Sequence, residues 1–261
     1  MTAKYQPAKL LASVFPTILP VVSPDYRKIL DLGCGSGDTL HALGLPSDAV
    51  LVGLDLDFDA LKVLRQRSVN VGLICGNGEL LPFKEGYFDF VFSKVALPYM
   101  DIPVALREVN RVLREGGQLW ITLHRFRMAA KGILGDLETF DLRDAVYQFY
   151  VMANGLALEL LGRQFRFPAN RRRCESTQTI GGITRALLGA GFCDVQFEIR
   201  GRGDDPAVSP DYRKTLDGAD AAYGKLLVVS ARKPLSYHRE SPVKRDNGRS
   251  AQRLKNLLWR S

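Results

Sequence analysis

The sequence predicts an α/β protein with a doubly wound, mostly parallel sheet, and three observations support that prediction. The stretch ILDLGCGSG, residues 29–37, joins a short apolar run to three alternating glycines, Gly33, Gly35 and Gly37. A second apolar run, VLVGLDLD, occupies residues 50–57 and ends in acidic residues. Apolar runs then alternate with helical patterns along the chain, which is typical of a parallel sheet with helices on both faces.

The glycine-rich stretch predicts a strand, a tight turn and a helix in succession. Its apolar start has the composition of a strand buried on both faces. Glycine has no Cβ, so a turn built from it adopts positive φ and lets a ligand approach bare backbone. The run DTLHALGL that follows predicts a short helix with an acid in its first turn. The combination indicates the start of a nucleotide-binding βαβ unit, and a purely structural turn is the alternative.

An acidic residue follows the second predicted strand at an informative distance. Asp55 lies 22 residues beyond Gly33, close to the roughly 20-residue offset at which a carboxylate meets ribose hydroxyls in dinucleotide folds. The alternative is that Asp55 caps the predicted helix FDALKVLRQR. Asp57 is the better candidate for that cap.

The remaining elements follow in the order expected of alternating strands and helices. Gly116 and Gly117 are predicted to end the helix that precedes the fifth strand. After that strand, the sequence predicts helical segments interrupted at Gly132, Gly135 and Gly155. Five further segments complete the predicted sheet: VNVGLIC (69–75), FDFVFS (88–93), QLWITLH (118–124), CDVQFEIR (193–200) and GKLLVVSARK (224–233).

Composition limits the function classes open to the chain. At 261 residues and 29.0 kDa, one domain with an insertion is expected. The four cysteines form no CxxC pair, so we expect neither a zinc site nor a disulfide framework, and a reducing cytoplasm is the simplest setting. Of the net charge of +8, residues 238–261 carry seven Lys and Arg against two acids, a balance of +5. The folded part is therefore only mildly basic, which argues against a nucleic-acid groove on it.

Four blocks of sequence together resemble the class I S-adenosylmethionine-dependent methyltransferases. They occur in the order and at the spacing typical of that family, and cover residues 28–123. The blocks are ILDLGCGSG, GLDLD, GNGELLPF with FDFVFS, and REVNRVLREGGQLWIT. The resemblance implies a seven-stranded Rossmann-like sheet with an antiparallel last strand and a helical lid insertion at about residues 125–185. It also implies S-adenosylmethionine as the cofactor.

The resemblance carries cofactor-binding roles to particular positions. Asp31 is implied to bind the amino group of the cofactor directly or through water, with a turn-bracing carboxylate as the alternative. Asn77 stands where the family more often has Asp, facing the adenine amine; a plain Asn-Gly turn is its alternative reading. The full set of implied cofactor-binding residues is Asp31, Gly33, Cys34, Gly35, Gly37, Asp55, Leu56, Asn77, Gly78 and Ser93.

Two residues are candidates for the catalytic side of the site, and no metal is expected. Tyr99 follows the fourth predicted strand and could line the methyl channel; packing in the core is its alternative role. His124 ends the fifth strand and is the candidate general base, expected to titrate near neutrality. A histidine hydrogen-bonded to the lid is the other possibility. Arg171–Arg173 could clamp an acidic substrate, although a solvated basic loop more often has this composition.

The sequence therefore predicts methyl transfer from S-adenosylmethionine to a small-molecule acceptor by in-line displacement. A nucleotide-dependent oxidoreductase and a catalytically silent cofactor-binding module are the alternatives. The domain is expected over residues 1–236, followed by a basic, flexible tail at 237–261 that could contact an anionic surface or a partner. Neither the acceptor nor the oligomeric state follows from the sequence.

Overall fold

A computed structural model describes residues 18–43, 45, 48–67, 70–124, 142–168, 174–200 and 226–235. Seven strands within these ranges form one sheet in the order β3-β2-β1-β4-β5-β7-β6. The strands are β1 (Lys28–Leu32), β2 (Val50–Asp55), β3 (Val71–Cys75), β4 (Phe88–Lys94), β5 (Leu113–Leu123), β6 (Cys193–Arg200) and β7 (Leu226–Arg232). β1 to β5 pair in parallel, and β7 is antiparallel to both of its neighbours, β5 and β6. The predicted fold class is confirmed.

Five α-helices lie within the described ranges. They are α1 (Asp38–Ala42), α2 (Phe58–Arg67), α3 (Ile102–Val112), α4 (Leu142–Leu161) and α5 (Ile180–Gly189). A short 3₁₀ helix, Leu97–Tyr99, precedes α3. One buried apolar cluster joins α3 and α5 to the sheet, and a second joins α1 and α2 to its other face. Helices on both faces explain why Ile29, Leu30 and Leu32 of β1 are all apolar although they alternate between the faces.

Neighbouring residues of β1 serve the two clusters alternately. Leu30 and Leu32 belong to the cluster under α3, and Ile29 belongs to the cluster under α1 and α2. All three side chains are fully buried. Because successive side chains of a strand point to opposite faces, Asp31 lies on the same face as Ile29. That placement puts a carboxyl group on the α1 side of the sheet.

The glycines at 116 and 117 do not end the preceding helix as predicted. α3 already ends at Val112, and β5 begins at the next residue. Gly116 and Gly117 form a bulge in β5, where the register with β4 shifts between Phe88 and Phe90. Gly116 has φ +69°, a left-handed conformation that glycine adopts without steric cost. The glycines are therefore needed by the strand rather than by the helix.

The predicted helical insertion at about residues 125–185 lies partly within the described residues. α4 runs from Leu142 to Leu161 without the interruption expected at Gly155. Gly155 instead lies against another segment: a Cβ there would be 1.9 Å from the carbonyl oxygen of Thr177. Gly132, Gly135, Arg171–Arg173 and the tail at 237–261 lie outside the described residues. Within the described ranges, no helix has the length and apolar character that a membrane span requires.

Candidate active site

The strand order places the topological switch point of the sheet, the expected position of a ligand-binding crevice, at the carboxyl ends of β1 and β4. The chain connects β1 to β2 on one side, and the sheet continues through β4 on the other, so the direction of winding reverses between them. Ligands of open α/β sheets bind at such a switch point. The segments that leave β1, β2, β3, β4 and β5 at this edge contain the predicted site residues.

The glycine turn after β1 combines two packed glycines with one open one. All three have positive φ: +79° at Gly33, +52° at Gly35 and +82° at Gly37. A Cβ on Gly33 would lie 2.1 Å from the Cβ of Ala96, and one on Gly37 would lie 2.2 Å from a methyl of Leu64. No heavy atom lies within 4 Å of the corresponding position on Gly35. Gly33 and Gly37 therefore allow the turn to pack closely against Ala96 and Leu64, whereas the side-chain position of Gly35 faces open space.

Asp55 ties the end of β2 to this turn. Its Oδ2 accepts a hydrogen bond from Gly35 N at 2.7 Å, and its Oδ1 accepts one from Asp57 N at 2.8 Å. The cap of α2 is made by Asp57, whose Oδ1 accepts from the backbone amides of Asp59 and Ala60 at 3.0 and 3.1 Å. The helix-capping alternative for Asp55 is thus wrong, and that for Asp57 is confirmed. Each carboxylate oxygen has a second lone pair available to a ligand hydroxyl.

Asp31 and Ser93 place unpartnered polar atoms beneath the turn. Asp31 Oδ2 and Ser93 Oγ are both buried and accept or donate no hydrogen bond among the described residues. Burial raises the pKa of Asp31 well above its ordinary value; the Asp55 carboxylate adds to the rise, and the Lys94 ammonium opposes it. An orphaned buried carboxylate oxygen is costly unless a donor reaches it. These residues fit a ligand that carries an ammonium group.

Cys34 supports the turn from inside. Its side chain packs in the cluster under α1 and α2, and burial is the main cause that raises the pKa of its thiol. Its backbone amide donates to Leu54 O at 3.2 Å, and its carbonyl accepts from Gly37 N at 2.9 Å. The structure therefore turns Cys34 away from the crevice, and its polar backbone groups are already hydrogen-bonded.

The ends of β2 and β3 offer apolar surface and a second glycine turn. Leu56 is 68% exposed and Leu80 is 76% exposed, so both present apolar surface to solvent at this edge. Asn77 Oδ1 accepts from Glu79 N at 2.9 Å, so the Asn-Gly turn reading is confirmed for its local role. A Cβ on Gly78 would lie 2.7 Å from the sulfur of Met100. Gly78 is thus required by packing beneath this turn.

Tyr99 and His124 face each other at the ends of β4 and β5. Their rings make an edge-to-face contact with centroids 6.1 Å apart. Burial lowers the pKa of His124 from 6.5 to about 4. The expectation that His124 titrates near neutrality is therefore wrong, because the ring is shielded from the water that would stabilise its charged form. His124 Nε2 has no hydrogen-bond partner within the described ranges.

A buried polar network beside His124 was not foreseen from the sequence. Gln178 N donates to the carbonyl of His124 at 2.9 Å, and Gln178 Nε2 donates to Ser176 Oγ at 2.6 Å. Gln164 Nε2 donates to the same hydroxyl at 2.6 Å, and its Oε1 accepts from Ile102 N at 2.7 Å. Gln178 Oε1 has no partner among the described residues. Nothing in the local sequence signals the burial of these polar residues, because it depends on how α4 packs.

Comparison with known proteins agrees with the geometry. Residues 30–121 match a family described as a methyltransferase domain. The chain is 33% identical over 135 residues to malonyl-[acyl-carrier protein] O-methyltransferase of Herminiimonas arsenicoxydans, covering 51% of this chain and 47% of that protein. It is 37% identical over 98 residues to demethylmenaquinone methyltransferase of Staphylococcus aureus, covering 35% of this chain and 41% of that one. The chain thus spans less than half the length of these curated relatives.

The fold is shared with solved methyltransferase structures. A putative S-adenosylmethionine-dependent methyltransferase of Listeria monocytogenes aligns with a TM-score of 0.56 at 17% identity, covering 82% of this chain and 93% of that one. The fold is that of a Rossmann-like α/β protein. Within that class, residues 30–121 match a methyltransferase domain, and the chain is similar to class I S-adenosylmethionine-dependent methyltransferases.

Proposed function

We propose that this chain binds S-adenosylmethionine in the crevice and catalyses transfer of its methyl group to a small-molecule acceptor. The observation that carries the proposal is the open backbone at Gly35. Gly35 N donates a hydrogen bond to the Asp55 carboxylate, and the strand before the turn carries the orphaned carboxylate oxygen of Asp31. This arrangement suits a ligand that carries a sugar diol and an ammonium group and that lies close against the protein backbone.

The chain's residues would hold the cofactor along its length. Asp55 would accept hydrogen bonds from two ribose hydroxyls while it keeps the turn in place through Gly35 N. Leu56 offers an apolar surface to the adenine ring, with Asn77 and Gly78 at its edge. Asp31 would face the α-ammonium. When bound, the cofactor supplies a methyl group already activated on a sulfonium, for in-line displacement by the acceptor.

Tyr99 and His124 are the proposed acceptor-side residues. The lowered pKa of His124 keeps its ring neutral at pH 7, so Nε2 can accept a hydrogen bond from an acceptor hydroxyl and orient it. Because burial disfavours the charged ring, this role is positioning rather than removal of a proton. We propose that α4 and the segment around Gln178 form a lid that excludes water from this side. A small acceptor is supported by the similarity to the demethylmenaquinone methyltransferase.

Calorimetric titration with S-adenosylhomocysteine tests the cofactor site. Replacing Asp55 with Ala should weaken binding by on the order of tenfold to a hundredfold, because hydrogen bonds to a charged group contribute about 1.5–3 kcal/mol. Asp57→Ala is the matched control: it removes a neighbouring carboxylate that caps α2 and should leave binding nearly unchanged. Binding of NAD in place of S-adenosylhomocysteine would favour an oxidoreductase.

A methyl-labelled cofactor tests the acceptor class. The protein is incubated with S-adenosylmethionine carrying a tritiated methyl group and a cell extract divided into small-molecule, protein and nucleic-acid fractions. Label should enter the small-molecule fraction with the unsubstituted protein, and much less with Asp55→Ala. Label found in protein or nucleic acid would refute the small-molecule acceptor, and binding without any transfer would favour a silent module.

A further inference from the structure

The sheet brings a second charged residue onto the face that carries Asp31. Asp31 lies opposite Phe92 in the parallel register of β1 and β4. Lys94 is two residues beyond Phe92 in the same strand, and residues two apart in a strand share a face. Asp31 and Lys94 are therefore diagonal neighbours on the α1 side of the sheet. Both lie at the carboxyl edge, directly under the glycine turn.

The two charges influence each other without making contact. The Lys94 ammonium lowers the pKa of Asp31, and the Asp31 carboxylate raises that of Lys94, while burial acts in the opposite direction on each. No hydrogen bond or ion pair joins them among the residues that the structure describes. The other acid near Lys94, Asp38, is already paired with Arg67 at 2.6 Å.

Such an arrangement is costly unless something completes it. Burying a carboxyl and an ammonium group removes both from water, and their attraction offsets that cost only with good geometry and further hydrogen bonds. Asp31 Oδ2 has no hydrogen-bond partner in the described ranges. A ligand that carries an ammonium and a carboxylate on one carbon would supply a counter-charge to each residue at once.

We propose that Lys94 binds the α-carboxylate of the cofactor's amino-acid end while Asp31 faces its α-ammonium. The pair would thus recognise a zwitterion, the charge pattern of an α-amino acid. This inference rests on the proposed function, because it assumes that the glycine-turn crevice holds the cofactor. Lysine suits the role as a compact point charge on a flexible stem.

The test compares two ligands that differ only at this end. S-adenosylhomocysteine carries the amino-acid group, and 5′-methylthioadenosine keeps the adenosine and the thioether but lacks it. Lys94→Met should weaken S-adenosylhomocysteine binding by on the order of tenfold to a hundredfold, as loss of a charge-assisted hydrogen bond predicts. Its affinity for 5′-methylthioadenosine should not change, and that retained binding shows that the variant is folded.

Two further variants control for charge and shape. Lys62→Met removes the same charge from α2, where Lys62 is exposed and paired with Asp59 at 2.9 Å, and it should bind both ligands like the unsubstituted protein. Lys94→Arg keeps the charge and should recover part of the lost affinity. Lys94→Gln should behave like Lys94→Met and serves if the Met variant fails to fold.

Each result separates the two proposals. Unchanged S-adenosylhomocysteine affinity in Lys94→Met overturns this inference and leaves the proposed function intact. Tighter binding also overturns it, because it would mean that Lys94 competes with the ligand ammonium for Asp31. An equal loss for both ligands points to a general defect of the crevice and overturns it as well. If the unsubstituted protein binds neither ligand, the proposed function fails and this inference fails with it.

Discussion

Alanine substitutions at Gly35 and at Gly33 distinguish effects on ligand binding from effects on stability. Both glycines have a positive φ that disfavours a side chain, but the space around them differs. Both have left-handed φ, +52° and +79°, so a Cβ costs roughly 1–2 kcal/mol at either position. At Gly33 the new Cβ would also lie 2.1 Å from the Cβ of Ala96. Overpacking of that kind adds about 1–3 kcal/mol.

The expected stabilities follow from these costs. For a chain of this size, each kcal/mol lowers the thermal midpoint by about 2–4 °C. Gly35→Ala should therefore lose roughly 2–8 °C, and Gly33→Ala roughly 4–20 °C. For ligand binding we expect the opposite order, with Gly35→Ala the more impaired variant, because a Cβ on Gly35 enters the open space beside Asp55. This Cβ should weaken the binding free energy of S-adenosylhomocysteine by roughly 1–3 kcal/mol, or raise Kd about five- to a hundredfold.

Two measurements decide the matter: thermal unfolding followed by circular dichroism, and calorimetric titration of each variant below its own midpoint. The reasoning is refuted if Gly35→Ala binds S-adenosylhomocysteine as tightly as the unsubstituted protein. It is also refuted if Gly35→Ala is the less stable of the two variants, because the clash expected at Gly33 and absent at Gly35 would then not control stability.

The remaining predictions concern the buried titratable groups. Asp31→Asn should raise the thermal midpoint of the ligand-free protein at pH 7 while weakening S-adenosylhomocysteine binding, because it removes a buried charge that the ligand would otherwise neutralise. The difference in thermal midpoint should shrink as the pH falls, because Asp31 of the unsubstituted protein then becomes protonated. A lower midpoint for Asp31→Asn at pH 7 would contradict this prediction. His124 is neutral when folded, with a pKa of about 4 against 6.5, so its contribution to stability falls as the pH drops from about 6.5 to 4. Between pH 7 and pH 5, the free energy of unfolding measured with urea should fall by about 2 kcal/mol less in His124→Phe than in the unsubstituted protein. Equal decreases would refute the lowered pKa of His124.

The sequence predicted those parts of the fold that depend on local pattern. The apolar run of β1, the glycine turn and the acids after β2 are each encoded within a few neighbouring residues. The parallel sheet followed from the alternation of strand and helix patterns, and the antiparallel last strand followed from the resemblance; the structure confirms both. Asp57 was also identified as the cap of α2 from its position alone.

The misjudged residues are those whose role depends on distant neighbours. Gly116 and Gly117 have the sequence context of a helix end, but their backbone pairs with Lys233, and they lie where the register of β5 with β4 shifts. Gly155 has the composition of a helix break, yet it permits α4 to approach the carbonyl of Thr177. The pKa of His124 depends on burial by packing, which no nearby residue reveals. Periodicity carries no information on such contacts.

The position of β7 has a consequence for how the protein is made. Among the described strands, β6 pairs only with β7, and β7 lies between β5 and β6, although it follows both in the chain. While the chain is being synthesised, β6 emerges without a partner, and β5 keeps an open edge until residues 226–232 leave the ribosome. An unpaired strand edge is a template for pairing with other chains. The nascent protein therefore passes through a stage in which chaperone protection matters most, and insertion of β7 ends it.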